Sequence, residues 1–140
     1  MKDLMNRIHP LKVITPVVVT DNTAQVGTII DRQGYSSLTY LIVTGTLADA
    51  DATFTVLLEE GDQANLSDAA PVDDAFLLGT EALASFNFAD DAETRKLGYV
   101  GGKRYTRLTI TPSGNTGNAP IAAIAVLGSA ALVPTPNPPV

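Results

Sequence analysis

Gly98–Thr111 reads GYVGGKRYTRLTIT, and its second half decides the fold class. From Tyr105 onward, Tyr105, Arg107, Thr109 and Thr111 fall on one face, while Thr106, Leu108 and Ile110 fall on the other. Strict alternation with a β-branched bias marks a strand with one face in a core and the other in water. The preceding RKLGYV (95–100) reads as a second strand. Gly101-Gly102 between them reads as a turn needing dihedrals that glycine adopts cheaply.

The same pattern continues outward. Ser37–Gly45 (SLTYLIVTG) is the clearest central strand, with Leu38, Tyr40 and Ile42 on one face and Leu41 and Val43 on the other. Both faces are apolar, which predicts cover on both sides. Ala52–Glu60 (ATFTVLLEE) points Phe54, Val56 and Leu58 inward and Thr53, Thr55 and Glu59 outward. Val13–Thr20 carries Pro16, which cannot donate to a ladder and so predicts an edge or bent strand. Within Gln25–Arg32, Val26–Ile30 reads as one strand and Asp31–Gly34 as a turn, Ser85–Ala89 as a short strand with Phe86 and Phe88 on one face, and Pro120–Gly128 (PIAAIAVLG) as the last, its alanines suited to close packing. Phe76–Leu83 fits either a strand broken at Gly79 or a helical start. Residues 62–75 read as a long loop, and Pro112–Asn118 (PSGNTGN) is the strongest loop signal. Eight or nine short strands with turns about every ten residues predict an all-β fold, a jelly-roll-like antiparallel β-sandwich with extended N- and C-terminal arms. Strand order, which separates a jelly roll from an immunoglobulin-like sandwich, is not in the pattern.

A chain of 140 residues suits one domain with its own core. Residues 1–12 read as an N-terminal arm holding Arg7, His9 and Lys12, residues 13–130 as the sandwich, and residues 131–140 as a Pro-rich C-terminal arm. Within the last, VPTPNPPV (133–140) has four prolines in eight residues, which predicts an extended, polyproline-like segment.

Composition narrows the function. A net charge of -6 argues against nonspecific nucleic-acid binding. No apolar run reaches the roughly 18 residues of a membrane span, and MKDLMNRIHP lacks the apolar stretch of a signal peptide, so synthesis in a cytoplasm is expected. There is no cysteine, no tryptophan and one histidine. Disulfides and thiolate metal sites are thereby excluded, and little remains for acid–base or nucleophilic chemistry. The acidic groups Asp49/Asp51, Asp73/Asp74 and Asp90/Asp91/Glu93 match no helix–loop–helix calcium pattern and read as turn formers. We expect no enzyme, no cofactor and no metal.

Charge is segregated: residues 46–94 hold twelve acidic and no basic residues, and residues 95–107 hold five basic and no acidic ones. Either the basic strand neutralises an acidic rim locally, or the two regions face partners of opposite charge. The candidate interface is Arg7, His9 and Lys12 on the N-terminal arm, Lys103, Arg104 and Arg107 on the basic strand, and Val133, Pro134, Pro136, Pro138 and Pro139 on the C-terminal arm. Arms that order on binding cover large surfaces, and many weak contacts on a repeating lattice give firm retention.

Over about residues 11–140 the chain resembles the cement, or decoration, proteins of tailed-phage heads. The most specific pieces are Ile30-Asp31-Arg32-Gln33-Gly34-Tyr35, Gly45-Thr46-Leu47-Ala48-Asp49-Ala50-Asp51 and Gly102-Lys103-Arg104-Tyr105. The resemblance implies a jelly-roll-like domain on the outer capsid surface of a virion, made in the host cytoplasm. Its partners would be the major capsid protein, whose neighbouring subunits it bridges, and itself, as homodimer or homotrimer, with no nucleic acid and no membrane. It brings no catalytic residues and no transferable binding motif. The alternative is a carbohydrate- or receptor-binding β-sandwich on the virion, which predicts a cluster of exposed aromatics among Tyr35, Tyr99 and Tyr105.

Overall fold

The computed structural model describes residues 2–140 and is an all-β, antiparallel, jelly-roll-like sandwich. Its strands are β1 (His9–Val19), β2 (Gln25–Val26), β3 (Ile30–Asp31), β4 (Tyr35–Thr44), β5 (Thr53–Gly61), β6 (Ala70–Pro71), β7 (Leu77–Leu78), β8 (Phe86–Asn87), β9 (Thr94–Tyr99), β10 (Tyr105–Ser113) and β11 (Ala119–Ala130). One sheet runs β1-β11-β4-β9-β7. The other runs β2-β10-β5-β6, with β3 also on β10 and β8 on β5. Besides two 3-10 turns at Met5–Arg7 and Asp74–Phe76, the described residues include a short α-helix, α1 (Glu81–Ala84), capped by the Thr80 hydroxyl, which accepts from the Leu83 amide at 3.0 Å.

The core lies between the sheets and follows the alternation. Leu38, Tyr40 and Ile42 of β4 face Phe54, Val56 and Leu58 of β5 and Leu108 and Ile110 of β10, all buried. The β5–β10 ladder holds one register throughout, from Tyr105 opposite Gly61 to Ser113 opposite Thr53, so neither strand can slip without turning its apolar set to water. Phe54 and Phe86 stack with centroids 4.8 Å apart. Ala123 and Ala125 of β11 are buried in the middle of the first sheet, where small side chains leave room for Tyr40. At the edge, β1 carries register shifts between Lys12 and Ile14 and between Ile14 and Val17, which accommodate Pro16.

Several expectations change. The Gly101-Gly102 connection is no hairpin: β9 belongs to one sheet and β10 to the other. Neither glycine has a positive φ; Gly101 is needed for space, since a Cβ there would stand 2.4 Å from the Tyr99 hydroxyl. Residues 25–32 form two short strands, because the Gly27 amide bonds Leu108 O while the Thr28 amide turns across to Val13 O. At 76–83 both alternatives occur in succession: β7, then Gly79 at φ +84, then α1. Phe88 is exposed rather than paired with Phe86, because the chain leaves β8 at Asn87, whose side chain accepts from the Ala89 amide.

The terminal segments also differ in detail. The strand β1 starts at His9, inside the segment assigned to the N-terminal arm. Residues 131–140 bend at 131–134 and 137–138 and return to the N-terminus instead of running straight as a polyproline helix. Thr135 is buried there; its amide donates to Asn6 O at 2.9 Å and its hydroxyl to Ile8 O at 2.6 Å.

Candidate interaction surface

The basic strand is spoken for within the chain. The Arg107 guanidinium bonds Glu59 directly opposite on β5 at 3.1 Å, in a pair with each side chain a quarter exposed or less. Lys103 meets Asp62 at 2.5 Å. Arg104 bonds both carboxylate oxygens of Asp31 at 2.8 Å and Gln33 at 2.6 Å, and this fork holds the Asp31 carboxyl below the usual carboxylate range. Arg95 pairs with Asp90 and with Glu93. Local neutralisation therefore accounts for Lys103, Arg104 and Arg107.

The most specific sequence pieces meet one another. Arg32 donates to Lys103 O and Gly101 O and lies 4.7 Å from the Tyr99 ring centroid. The buried Tyr99 hydroxyl donates to Glu60 and accepts from the Lys103 amide; burial first, and then the Glu60 bond, pushes its pKa up to about 12. Residues 30–35 and 102–105 thus form one lock over the crossing between sheets. The third piece locks another corner: Asp49 accepts from the Thr116 amide and hydroxyl at 2.8 Å, and the Ala48 amide donates to Asn118 O. These bonds place the Asp49 carboxyl below its ordinary range, the Thr116 amide contributing most.

His9 is a correction. It is only 5% exposed, opposite Leu127 in the ladder, stacked on Tyr35 with centroids 5.5 Å apart, and its Nε2 lies 3.2 Å from Val140 O. As placed, it is covered by the returning C-terminus and offers nothing to a partner. Arg7, Lys12, Val133, Pro134, Pro136, Pro138 and Pro139 are on the surface. The two terminal segments enclose an apolar groove of about 430 Å³ lined by Leu4, Met5, Ile8, Pro10, Pro136 and Pro139. The three tyrosines do not cluster into an exposed platform: Tyr99 is buried, Tyr35 is half-buried against His9, and Tyr105 is half-buried beside Arg104.

What the sequence reading missed is the outer face of the β1-β11-β4-β9-β7 sheet. Its ladders align in rows. Pro10, Val126, Thr39 and Gly98 make one row; Lys12, Ile124, Leu41 and Lys96 the next; Ala122, Val43 and Thr94 a third; Val18 and Pro120 a fourth. Val18, Val43 and Ile124 are 52%, 50% and 40% exposed, so this apolar face is open to solvent. Its lower end widens into a groove of about 350 Å³ lined by Pro16, Val18, Val43, Pro120 and Ala122. The opposite sheet presents mainly Thr53, Thr55, Thr111 and the Arg107–Glu59 pair, with the half-buried Leu57 and the exposed Val26 forming one apolar row through Thr109. The signal was available in the apolar second faces of Ser37–Gly45 and Pro120–Gly128; the fold of this chain leaves both uncovered.

Among the described residues, no group of three or more His, Cys, Asp or Glu side chains converges as a metal site, and no helix is long and apolar enough to cross a membrane.

No family model matches the chain, and no curated protein matches it. Among solved structures, the PBSX exported protein XepA shares the fold at a TM-score of 0.56 and 14% identity, covering 98% of this chain. This chain spans 42% of the length of XepA. Weaker likenesses are the CBM22-1-GH10 modules of a Clostridium thermocellum endo-1,4-beta-D-xylanase, with xylohexaose (TM-score 0.46, 12% identity, 95% of this chain and 28% of that one), and the SPBc2 prophage-derived protein YomS (TM-score 0.44, 11% identity, 84% of this chain and 94% of that one).

Proposed function

We propose that this chain is a structural protein of a tailed-phage virion: a cement, or decoration, protein that binds the outer surface of the head and bridges neighbouring major capsid subunits. One observation carries the reading, the inequality of the two outer sheet faces. One face is mostly polar, with its charges paired inside the chain and Val26 and Leu57 in a single apolar row, and the other is apolar over several adjacent strands and uncovered. A contiguous apolar surface on an otherwise acidic domain is suited to docking on a protein rather than to holding a small polar substrate. The β-sandwich shared with the PBSX exported protein supports the architecture, and the sequence resemblance to cement proteins supports the setting. In this reading the chain performs no catalysis, holds no cofactor, and contacts neither nucleic acid nor membrane. Copies associate as dimers or trimers at capsid junctions.

The test is co-sedimentation of purified protein with empty heads assembled from the major capsid protein of the same genome, alongside the unassembled capsid protein. Saturable binding at a fixed ratio to capsid subunits, with heads that withstand higher temperature, is the expected result. Absence of binding to heads would overturn the reading. Capture of a host envelope polysaccharide by the isolated protein would instead establish the alternative, a carbohydrate- or receptor-binding module. The half-exposed Tyr105 and the threonine-lined face of β5 and β10 would then be its ground.

A further inference from the structure

We infer that the outer face of the β1-β11-β4-β9-β7 sheet is the docking surface, and that its occupant is a protein surface with an apolar centre flanked by two carboxylates about 14 Å apart, three strand spacings. The inference rests on the cement reading and specifies which surface of the capsid it meets. It starts from one row of the ladder: Lys12 pairs with Ile124, Ile124 with Leu41, and Leu41 with Lys96. Alternation puts all four side chains on the outer face. Two lysines thus stand at the ends of an apolar pair, in a chain whose net charge is -6.

Both lysines are exposed, and neither has a carboxylate within ion-pair distance among the described residues. The acidic residues of the turn before β9 are engaged within the chain, Asp90 and Glu93 by Arg95 and Asp91 by the Leu47 amide. A surface with two free cations and no anion selects a partner with carboxylates. The same geometry opposes a second copy of this face. A two-fold axis centred on the row sets Lys12 against Lys12, or Lys12 against Lys96, as it runs across or along the strands. Like charges then meet over a surface that desolvates them.

Size points the same way. Four strands at about 4.8 Å, and the roughly 20 Å from Pro120 to Val126, give about 400 Å² of face. That is roughly half of what each side of a stable free pair buries, so a single contact is weak. Repeated at each position of a lattice, and joined by copies of the chain, it holds firmly.

The experiment uses the full chain and the same empty heads. Lys12→Glu with Lys96→Glu reverses both charges at exposed positions, and Ile124→Glu charges the centre. Thr55→Glu with Thr111→Glu charges the opposite sheet face. The expected result is at least a tenfold loss of head binding for the first two variants, wild-type binding for the third, and melting temperatures within a few degrees of wild type. Wild-type binding by the Lys12/Lys96 and Ile124 variants would overturn the inference and leave the cement reading standing. Failure of the wild-type chain itself to bind heads would overturn both. A wild-type oligomer in solution that these same variants dissociate would assign the face to a second copy and overturn the inference.

Discussion

Tyr40 and Thr106 join the two sheets through the middle of the core, and removing their bond should cost more than either hydroxyl alone explains. The phenol oxygen lies 2.7 Å from the threonine hydroxyl, and both residues are 0% exposed. Because β4 and β10 belong to different sheets, this bond crosses the apolar interior rather than running along a ladder. Tyr40→Phe forfeits about 1 kcal/mol of net hydrogen bonding and leaves the Thr106 hydroxyl buried without its partner, at about 1–3 kcal/mol more. A total of roughly 2–4 kcal/mol lowers the melting temperature by something like 5–15 °C in a domain of this size. Thr106→Val strands the Tyr40 hydroxyl at a similar cost. The double variant has no orphan, so it should be less destabilised than either single variant, by about 1 kcal/mol or less relative to wild type, which makes the coupling about 3 kcal/mol or more. Urea unfolding of all four proteins, with the slope held constant, measures it. Single costs that add within about 0.5 kcal/mol would refute the reasoning, since each hydroxyl would then have found another partner.

Gly101→Ala should destabilise by about 1–3 kcal/mol, because its Cβ would stand 2.4 Å from the Tyr99 hydroxyl, whereas Gly102→Ala, with nothing within 4 Å, should melt like wild type. Removal of residues 133–140, or Thr135→Val, should speed carbethoxylation of the sole histidine, His9, by diethyl pyrocarbonate at least tenfold; an unchanged rate would mean that Tyr35 alone covers it. Stability should also fall in alkali. The folded Tyr99 pKa, pushed up to about 12, and that of Tyr40, raised further by burial, exceed the value of about 10 for an unfolded tyrosine. The stabilisation is whole below pH 10 and is lost as pH rises through the folded values. Tyr40→Phe should therefore be less stable than wild type at pH 7 yet lose less between pH 9 and 11, as followed by circular dichroism. At the other end, Asp49→Asn should weaken the fold at neutral pH, and its deficit should shrink as pH falls below about 4, because the depressed Asp49 carboxyl stabilises only above its unfolded value.

The strands were legible because alternation is a local property. A residue's neighbours two positions away share its environment, so Phe54, Val56 and Leu58 declare their face without knowledge of any partner. Sheet membership is not local. Nothing in RKLGYVGGKRYTRLTIT distinguishes a hairpin from a crossing; the difference lies in the Arg32 bonds to Gly101 O and Lys103 O, made from some 70 residues away. Gln25–Arg32 failed for the same reason, since its break at Gly27 is set by Leu108 O and Val13 O. His9 looked like an arm residue because its cover arrives from Thr135 and Val140, at the far end of the chain. Charge was half legible: segregation along the chain was plain, but the pairing of Arg107 with Glu59 depends on register.

The expectation that Ser37–Gly45 is covered on both faces is where sequence and fold part most usefully. Leu41 and Val43 are as apolar as the Leu38, Tyr40 and Ile42 that alternate with them, and β11 repeats the arrangement with Ile124 and Val126 outside Ala123 and Ala125. A solvated face does not need that composition; the opposite sheet is mostly threonines and paired charges, with Val26 and Leu57 confined to one row. Exposed β-branched residues on adjacent strands do stabilise a sheet by about 0.2–1 kcal/mol per cross-strand pair. That benefit would account for valines and isoleucines in these rows, but not for Pro120, Ala122 and Leu41, which gain little from it. Nor does it account for two lysines at the ends of one row with no acid between them. Cross-strand stabilisation predicts that polar β-branched replacements such as Val43→Thr and Ile124→Thr leave both stability and head binding nearly intact. A docking face predicts intact stability with lost binding. The comparison separates a face built for the sheet from one built for a partner.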